Sequence, residues 1–406
     1  MSDETMTEVR LAAWTTRLER SVLREMITVV SQPGILSFAG GLPAPELFPR
    51  TEYASALAEV MALDGAKALQ YGPTVAKLRE QIVALMALRG IRDVRPEQVF
   101  ITTGAQQAIN IVANLLLDPG GQVLLERNTY TGAQQVIQPR MGEALLVDTD
   151  LESGLDVAQV EDYLKGGARP AFLYAIPEAH NPLGVSLSVE KRGYLARLAA
   201  DYNLPIIEDD PYGLLYYGEG EAPVALRAHN AGQVFYAGSF SKIIAPALRL
   251  GWMVAPEALL PKIMVIKEMF DLESSQLTQR AVSAFLASGQ FEPHLQRLRA
   301  AYRDRRDAML AGLRAHFPAE AVWTEPQAGM FIWVELPRTV DTAELLKVAV
   351  AEEKVAFIPG HAFSVSAPGA GPKATNCMRL NFTNVDSARI ADGMARLGRV
   401  VKAALA

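Results

Sequence analysis

Short apolar runs bounded by turn residues recur at residues 99–102, 123–125, 171–176, 205–207, 234–237 and 250–254, with stretches of helical period between many of them. Uninterrupted runs of this length read as strands buried on both faces, and their alternation with helices predicts a mostly parallel sheet covered on both sides. In such sheets ligands gather at the carboxyl ends of the strands. A long, charged helical stretch over 290–317 then leads to a second set of strands, 330–335, 355–358 and 378–382, closed by a helix from Ser387. The expectation is an α/β protein in three parts: an arm over 1–50, a large domain over 51–289 and a smaller α+β domain over 290–406. The arm carries one amphipathic helix around 16–30, then Gly34, Gly40, Gly41 and four prolines up to Pro49, too much Gly and Pro for a regular element.

Composition narrows the class. A chain of 406 residues exceeds the size at which one hydrophobic core usually stops growing, which fits a large domain with a smaller one attached. Half the residues are apolar and 21% are charged, a globular balance. The formal charge of -6 comes from 39 basic and 45 acidic side chains mixed along the chain, so neither nucleic acid nor an anionic membrane is expected as a partner. The single cysteine, Cys377, leaves no intrachain disulfide framework and no multi-cysteine metal cluster, no metal is expected, and a reducing cytoplasm fits. The acidic start is not followed by an apolar stretch, so no signal peptide is expected, and no apolar run approaches the ~18 residues of a membrane span. The Asn381-Phe382-Thr383 triplet matches a glycosylation acceptor but, without a secretory route, is read as chance.

The densest polar cluster is Gly238-Ser239-Phe240-Ser241-Lys242, directly after the apolar run at 234–237. A lysine at a strand's carboxyl end, flanked by hydroxyls and small residues, is placed to attack a carbonyl as an amine. Most lysines are solvated, but Ile243-Ile244-Ala245-Pro246 and the preceding strand predict a buried setting here, which lowers the ammonium pKa and frees the amine. Residues 206–212, Ile-Ile-Glu-Asp-Asp-Pro-Tyr, read as a strand that ends in carboxylates, with the Tyr212 phenol three residues after Asp209. A buried anion there would keep a pyridinium nitrogen protonated and the phenol would donate to a ring oxygen; a capped turn before a helix is the competing reading. Residues 101–107 read as a strand, a glycine turn at Gly104 and the start of a helix over 105–117, whose free N–H groups suit a phosphate monoester. Arg249 offers a fork of donors to the same anion.

The set Thr103-Gly104-Ala105-Gln106, Tyr130, Asn181-Pro182-Leu183-Gly184, Asp209-Asp210-Pro211-Tyr212, Ser239-Phe240-Ser241-Lys242 and Arg249, in that order, resembles the fold type I pyridoxal-phosphate aminotransferases of classes I and II over nearly the whole chain. Residues 34–43, Gly-Ile-Leu-Ser-Phe-Ala-Gly-Gly-Leu-Pro, and residues 238–246 resemble the 2-aminoadipate aminotransferase group, which shares its catalytic domain with MocR-type regulators. The resemblance implies pyridoxal 5'-phosphate held as a Schiff base on Lys242, which also shuttles the proton between the substrate Cα and the cofactor C4′. It implies that Asp209 pairs with the pyridinium nitrogen, that Tyr212 and Asn181 hydrogen-bond the ring oxygen, and that Tyr130 stacks on the pyridine face. Gly104, Ala105, Gln106, Ser239, Ser241 and Arg249 would bind the phosphate, with Tyr71 reaching in from the partner subunit of a homodimer. Arg379 would clamp the substrate α-carboxylate, helped by Asn181 and the Gly40 backbone, and Arg24 on the N-terminal helix would meet the distal carboxylate of acidic side chains. The implied activity moves the amino group of an L-amino acid (2-aminoadipate, glutamate, leucine or an aromatic one) to 2-oxoglutarate or another 2-oxo acid.

Taken singly, Tyr130 reads as well as a half-buried aromatic, Asn181 as a turn residue, Arg379 as a salt-bridged strand arginine and Arg24 as a solvent-facing one. The ordered conjunction favours the site, though Arg24 stands balanced. Some positions depart from the family's usual text: Asn128 replaces a common proline, Leu183 a threonine, and Glu178-Ala179-His180 stands where a shorter aromatic-glutamine sequence is usual. His180, beside Asn181, is read as a structural histidine. The Ser-x-x-Lys pattern at 239–242 also fits serine acyl transfer, but the Ser-Asp-Asn and Lys-Thr-Gly partners do not occur. A transcriptional regulator would need an N-terminal winged helix of about seventy residues before the arm, and none is expected. A lyase, decarboxylase or cyclase on the same scaffold stays open, because fold and cofactor do not fix which bond to Cα breaks.

Overall fold

The computed structural model describes residues 12, 14, 15, 18, 33–367 and 373–405; the helix read over 16–30, and Arg24 with it, lie outside the described residues. Seven strands form the larger sheet, in the order Val99–Thr102, Gly251–Val254, Val234–Ser239, Ile206–Asp210, Leu173–Ala175, Gly121–Glu126 and Met141–Val147. All run in one direction except Gly251–Val254, which is antiparallel to both its neighbours. Side chains alternate across this sheet between two cores. Leu124, Leu173, Ile206 and Val234 enter one, whereas Val123, Leu125, Tyr174, Ile207 and Phe235 enter the other. Both faces being buried, the strands need apolar residues at every position, which is why they read as unbroken runs. The edge strand Met141–Val147 falls outside the runs read from the sequence, because Gly142 and Glu143 are exposed and only its second half is buried.

The helix Phe291–His316 leads to a second, four-stranded sheet in the order Val322–Trp323, Phe331–Glu335, Cys377–Asn381, Ile358–Pro359, antiparallel throughout. The final helix, Ser387–Ala403, packs along Phe291–His316 and starts at Asp386, whose carboxylate accepts the Arg389 N–H at 2.9 Å. The run read as one strand over 355–358 divides in two. Ile358–Pro359 joins the second sheet, while Val355–Ala356 pairs in parallel with Leu36–Ser37 of the arm. The Asn381 N–H donates to the Phe38 carbonyl at 2.7 Å, so the arm is fixed beside the strand that carries Arg379. No described helix is long and apolar enough to cross a membrane.

Candidate active site

The parallel strands release their chains at one edge of the large sheet, and the segments that follow them line a cleft. Ala105 and Gln106 follow Val99–Thr102, Tyr130 follows Gly121–Glu126, and Asn181 follows Leu173–Ala175. Asp209 and Tyr212 end Ile206–Asp210, and Ser241 and Lys242 end Val234–Ser239. Gly251–Val254 runs the other way, so its beginning lies at this same edge, and Arg249 just before it joins the cleft. Gly41 from the arm and Phe331 and Arg379 from the second sheet close the opposite wall.

Lys242 sits on a turn anchored by Phe240, whose ring is buried 5.0 Å from that of Trp252. Its Nζ donates to the Gly41 carbonyl at 2.9 Å. Burial, and then the Arg379 and Arg249 cations, push its pKa down to about 8 against the pull of Asp209. A useful fraction of free amine is therefore present near neutral pH.

Asp209 is 3% exposed and accepts the Tyr174 hydroxyl on Oδ2 at 2.8 Å, while its Oδ1 is buried without a donor among the described residues. Burial raises its pKa to about 7; the Tyr174 hydrogen bond opposes this, Asp210 adds to it, and Lys242 opposes it again. A buried carboxylate oxygen with no partner is costly, and a protonated ring nitrogen in the cleft would satisfy it.

Anion donors converge on the cleft from three turns. Gly104 takes φ 101° immediately before the helix Ala105–Leu116, a conformation open to glycine, and exposes that helix's first N–H groups. Ser239 Oγ accepts the Ser241 N–H at 3.1 Å and lies 2.9 Å from Ser241 Oγ. Arg249 is left-handed at φ 47° and donates to the Thr103 carbonyl at 2.8 Å, spanning the two turns. Beside them, a Cβ at Gly132 would come within 2.4 Å of the Tyr130 ring and 2.5 Å of Gln106 Oε1, so only glycine lets the ring lie there. Burial and then Asp209 hold the Tyr130 phenol protonated.

Arg379, 2% exposed, is stacked between Phe331 and Phe363, with its guanidinium carbon 4.1 and 4.6 Å from their ring centres. Its Nη1 donates to Asn181 Oδ1 at 2.7 Å and its Nη2 to the Ala39 carbonyl at 2.9 Å, and its Nε has no partner among the described residues. Burial pulls its pKa down to about 10 against the Tyr212 and Tyr130 phenols. Tyr212 is buried edge-on to Phe331 with ring centres 6.0 Å apart, and Asn181 hydrogen-bonds its phenol, whose pKa burial raises.

Not every expected residue meets here. Gly40 does not line the cleft, whereas its neighbour Gly41 does. Tyr71 is 76% exposed and lies away from the cleft of its own chain. His180 is buried outside the cleft wall, in keeping with a structural histidine.

Sequence reasoning missed the supports. Tyr174 could have been suspected, because a phenol inside an apolar run needs a partner for its hydroxyl. Arg89, on a surface-like helix end, gave no signal. Its Nε meets Asp210 Oδ2 at 2.8 Å and its Nη1 the Pro223 carbonyl at 2.8 Å, Tyr236 donates to the same Asp210 oxygen at 2.9 Å, and Arg192 joins through Glu178 at 3.1 Å. This buried network holds the strand end that bears Asp209. Arg89→Ala leaves Asp210 without its cation and Glu178 with Arg192 alone, and should cost about 3–5 kcal/mol in denaturant unfolding, measured with cofactor bound.

The phosphate, the ring nitrogen and the aldehyde carbon of pyridoxal 5'-phosphate would each find a fitting partner in this cleft, at the edge of the sheet where such folds bind ligands. The chain belongs to the class I and II aminotransferases, whose family model matches residues 42–397. It is a pyridoxal-phosphate-dependent enzyme of that activity. It is 40% identical over 395 residues to a 2-aminoadipate transaminase of Thermus thermophilus, covering 96% of each chain. Among solved structures, a kynurenine aminotransferase of Pyrococcus horikoshii in complex with PMP matches with TM-score 0.90 at 34% identity, covering 98% of each chain. LysN, the α-aminoadipate aminotransferase of Thermus thermophilus complexed with N-(5'-phosphopyridoxyl)-L-leucine, matches with TM-score 0.86 at 38% identity over 97% of this chain and 98% of that one.

Proposed function

We propose that this enzyme moves the amino group of L-amino acids with acidic, aliphatic or aromatic side chains, such as 2-aminoadipate, glutamate, leucine or an aromatic amino acid, to 2-oxoglutarate or another 2-oxo acid. The observation that carries the reading is Arg379. It is a fully buried cation held by neutral oxygens, with no carboxylate partner among the described residues. Such a charge is costly unless a ligand brings the anion, and an α-carboxylate is what amino donor and oxo-acid acceptor share. The side-chain range is supported by relatives named for 2-aminoadipate and kynurenine and by one solved with a leucine adduct.

Bound pyridoxal phosphate supplies the electron sink that acidifies the substrate's Cα–H bond. Lys242, freed by burial to lose its own proton near neutral pH, removes the Cα proton and returns it on the far side of the transfer. Oδ1 of Asp209 would keep a proton on the ring nitrogen, while Tyr212 and Asn181 would hold the ring oxygen. The Ser239, Ser241, Arg249 and Gly104–Gln106 donors would fix the phosphate. Tyr71, exposed beside Leu69 on one copy, would complete the phosphate site of a second copy in a homodimer.

A panel of amino acids with 2-oxoglutarate as acceptor tests the reading: glutamate and 2-oxo acids should form stoichiometrically. Oxo-acid release that needs no acceptor would overturn it. Arg379→Lys keeps the charge but loses the fork, and KM for both amino acid and oxo acid should rise roughly ten- to a hundredfold, more than kcat falls. Within the panel, Arg24→Ala should weaken acidic substrates much more than leucine; equal losses would remove Arg24 from side-chain recognition.

A further inference from the structure

Asn181 reaches both the carboxylate clamp and the Tyr212 phenol, so its loop decides how well the two are aligned. In that loop, residues 177–184, the two ionisable residues Glu178 and His180 are both buried and partnered away from the cleft. On one side, Glu178 Oε2 takes Arg192 at 3.1 Å and Arg89 at 3.4 Å, and its Oε1 accepts the Ser186 hydroxyl. On the other, His180 Nε2 lies 2.9 Å from Glu126 Oε2, at the end of the strand Gly121–Glu126. Ala179, left-handed at φ 47°, lies between these anchors and sends them to opposite sides.

Nδ1 of His180 accepts the Leu183 N–H at 3.4 Å, while Nε2 faces Glu126 Oε2 across the 2.9 Å contact without the alignment of a regular hydrogen bond. The second oxygen of Glu126 accepts the Thr149 hydroxyl at 2.7 Å. The backbone of His180 is held as well, its N–H by the Val185 carbonyl at 2.8 Å and its carbonyl by the Gly184 N–H at 2.6 Å. The residue directly before Asn181 is thus tied at backbone and ring, whereas Asn181 itself points into the cleft.

We propose that His180, through its buried pair with Glu126, is a positioning residue for Asn181 and sets the alignment of the α-carboxylate clamp and the ring-oxygen donors. The proposal rests on the role given to Asn181 above. Its consequence differs from that of a packing residue: loosening His180 should act on substrate alignment and on the cofactor's electronic state, both of which Asn181 touches.

Two conservative variants separate the contacts. His180→Gln can still reach Glu126 but gives up the acceptor for Leu183, whereas His180→Asn keeps that acceptor and falls short of Glu126. With cofactor bound, His180→Asn is expected to raise KM for the amino acid roughly tenfold with a smaller change in kcat. It should also shift the pH at which the visible band of the bound cofactor changes, in the same direction as Asn181→Ala does. His180→Gln should remain close to the parent in both. If His180→Asn lowers thermal stability but leaves KM and the band titration unmoved, while Asn181→Ala moves them, the positioning role is refuted. If Asn181→Ala itself moves neither, the role given to Asn181 fails, and the proposal with it.

Discussion

Lys242→Ala is expected to abolish turnover, with kcat falling at least about 10⁴-fold, because one amine serves both as the nucleophile toward the cofactor aldehyde and as the base at Cα. Two further readouts belong to this prediction. The parent should show a visible absorption band that borohydride bleaches while fixing the cofactor's mass on the peptide containing Lys242, and the variant should show neither. Substrate affinity should survive, since Arg379 and Asn181 are held by contacts that do not involve Lys242. A variant that retains more than a hundredth of the parent rate would sink the assignment.

The second large effect is at Asp209. Asp209→Asn removes the negative charge facing the ring nitrogen while keeping the acceptor for Tyr174, so kcat should fall roughly 10²–10³-fold with cofactor still bound. The pH dependence has a definite sign. Asp209 has a folded value of about 7, above its ordinary 3.8, so the native cofactor-free protein favours the protonated acid. That contribution to stability is fully present below about pH 4 and is lost as pH rises through about 7. Glu208, also raised to about 7 by burial, acts in the same direction. Thermal unfolding of the cofactor-free enzyme from pH 4 to 7 should therefore decline with pH, and Asp209→Asn should flatten that decline in part. Cofactor, by bringing a cation to Oδ1, should stabilise the parent more than the variant at pH 7.5. Identical slopes in parent and variant would refute the account of Asp209.

Much of this was legible without coordinates, for identifiable reasons. The large-sheet strands that carry site residues are buried on both faces, which forces apolar residues at consecutive positions and makes them visible as runs. The glycine before Ala105 and the polar cluster ending in Lys242 follow such strands directly, so their place at the ligand edge comes from the connectivity. Met141–Val147 escaped because an edge strand is free to expose Gly142 and Glu143. The division of residues 355–358 between two partners escaped because a strand's run does not say where its neighbour ends.

By itself the sequence determined the sheet class, the order of the chemical groups and the family whose text they match, since those depend on local periodicity and on residue type. Only the tertiary structure decided which groups meet and how they are tuned. The reversed strand Gly251–Val254 brings Arg249 back to the phosphate donors, and the pairing of Leu36–Ser37 with Val355–Ala356 delivers Gly41 to Lys242. Burial together with charges from separate segments moves Lys242 down to about 8 and Asp209 up to about 7. Tyr174, Arg89 and the His180–Glu126 pair act through contacts between residues far apart in the chain. Desolvation and Coulomb interaction depend on distance in space, which neighbouring letters in a sequence do not record.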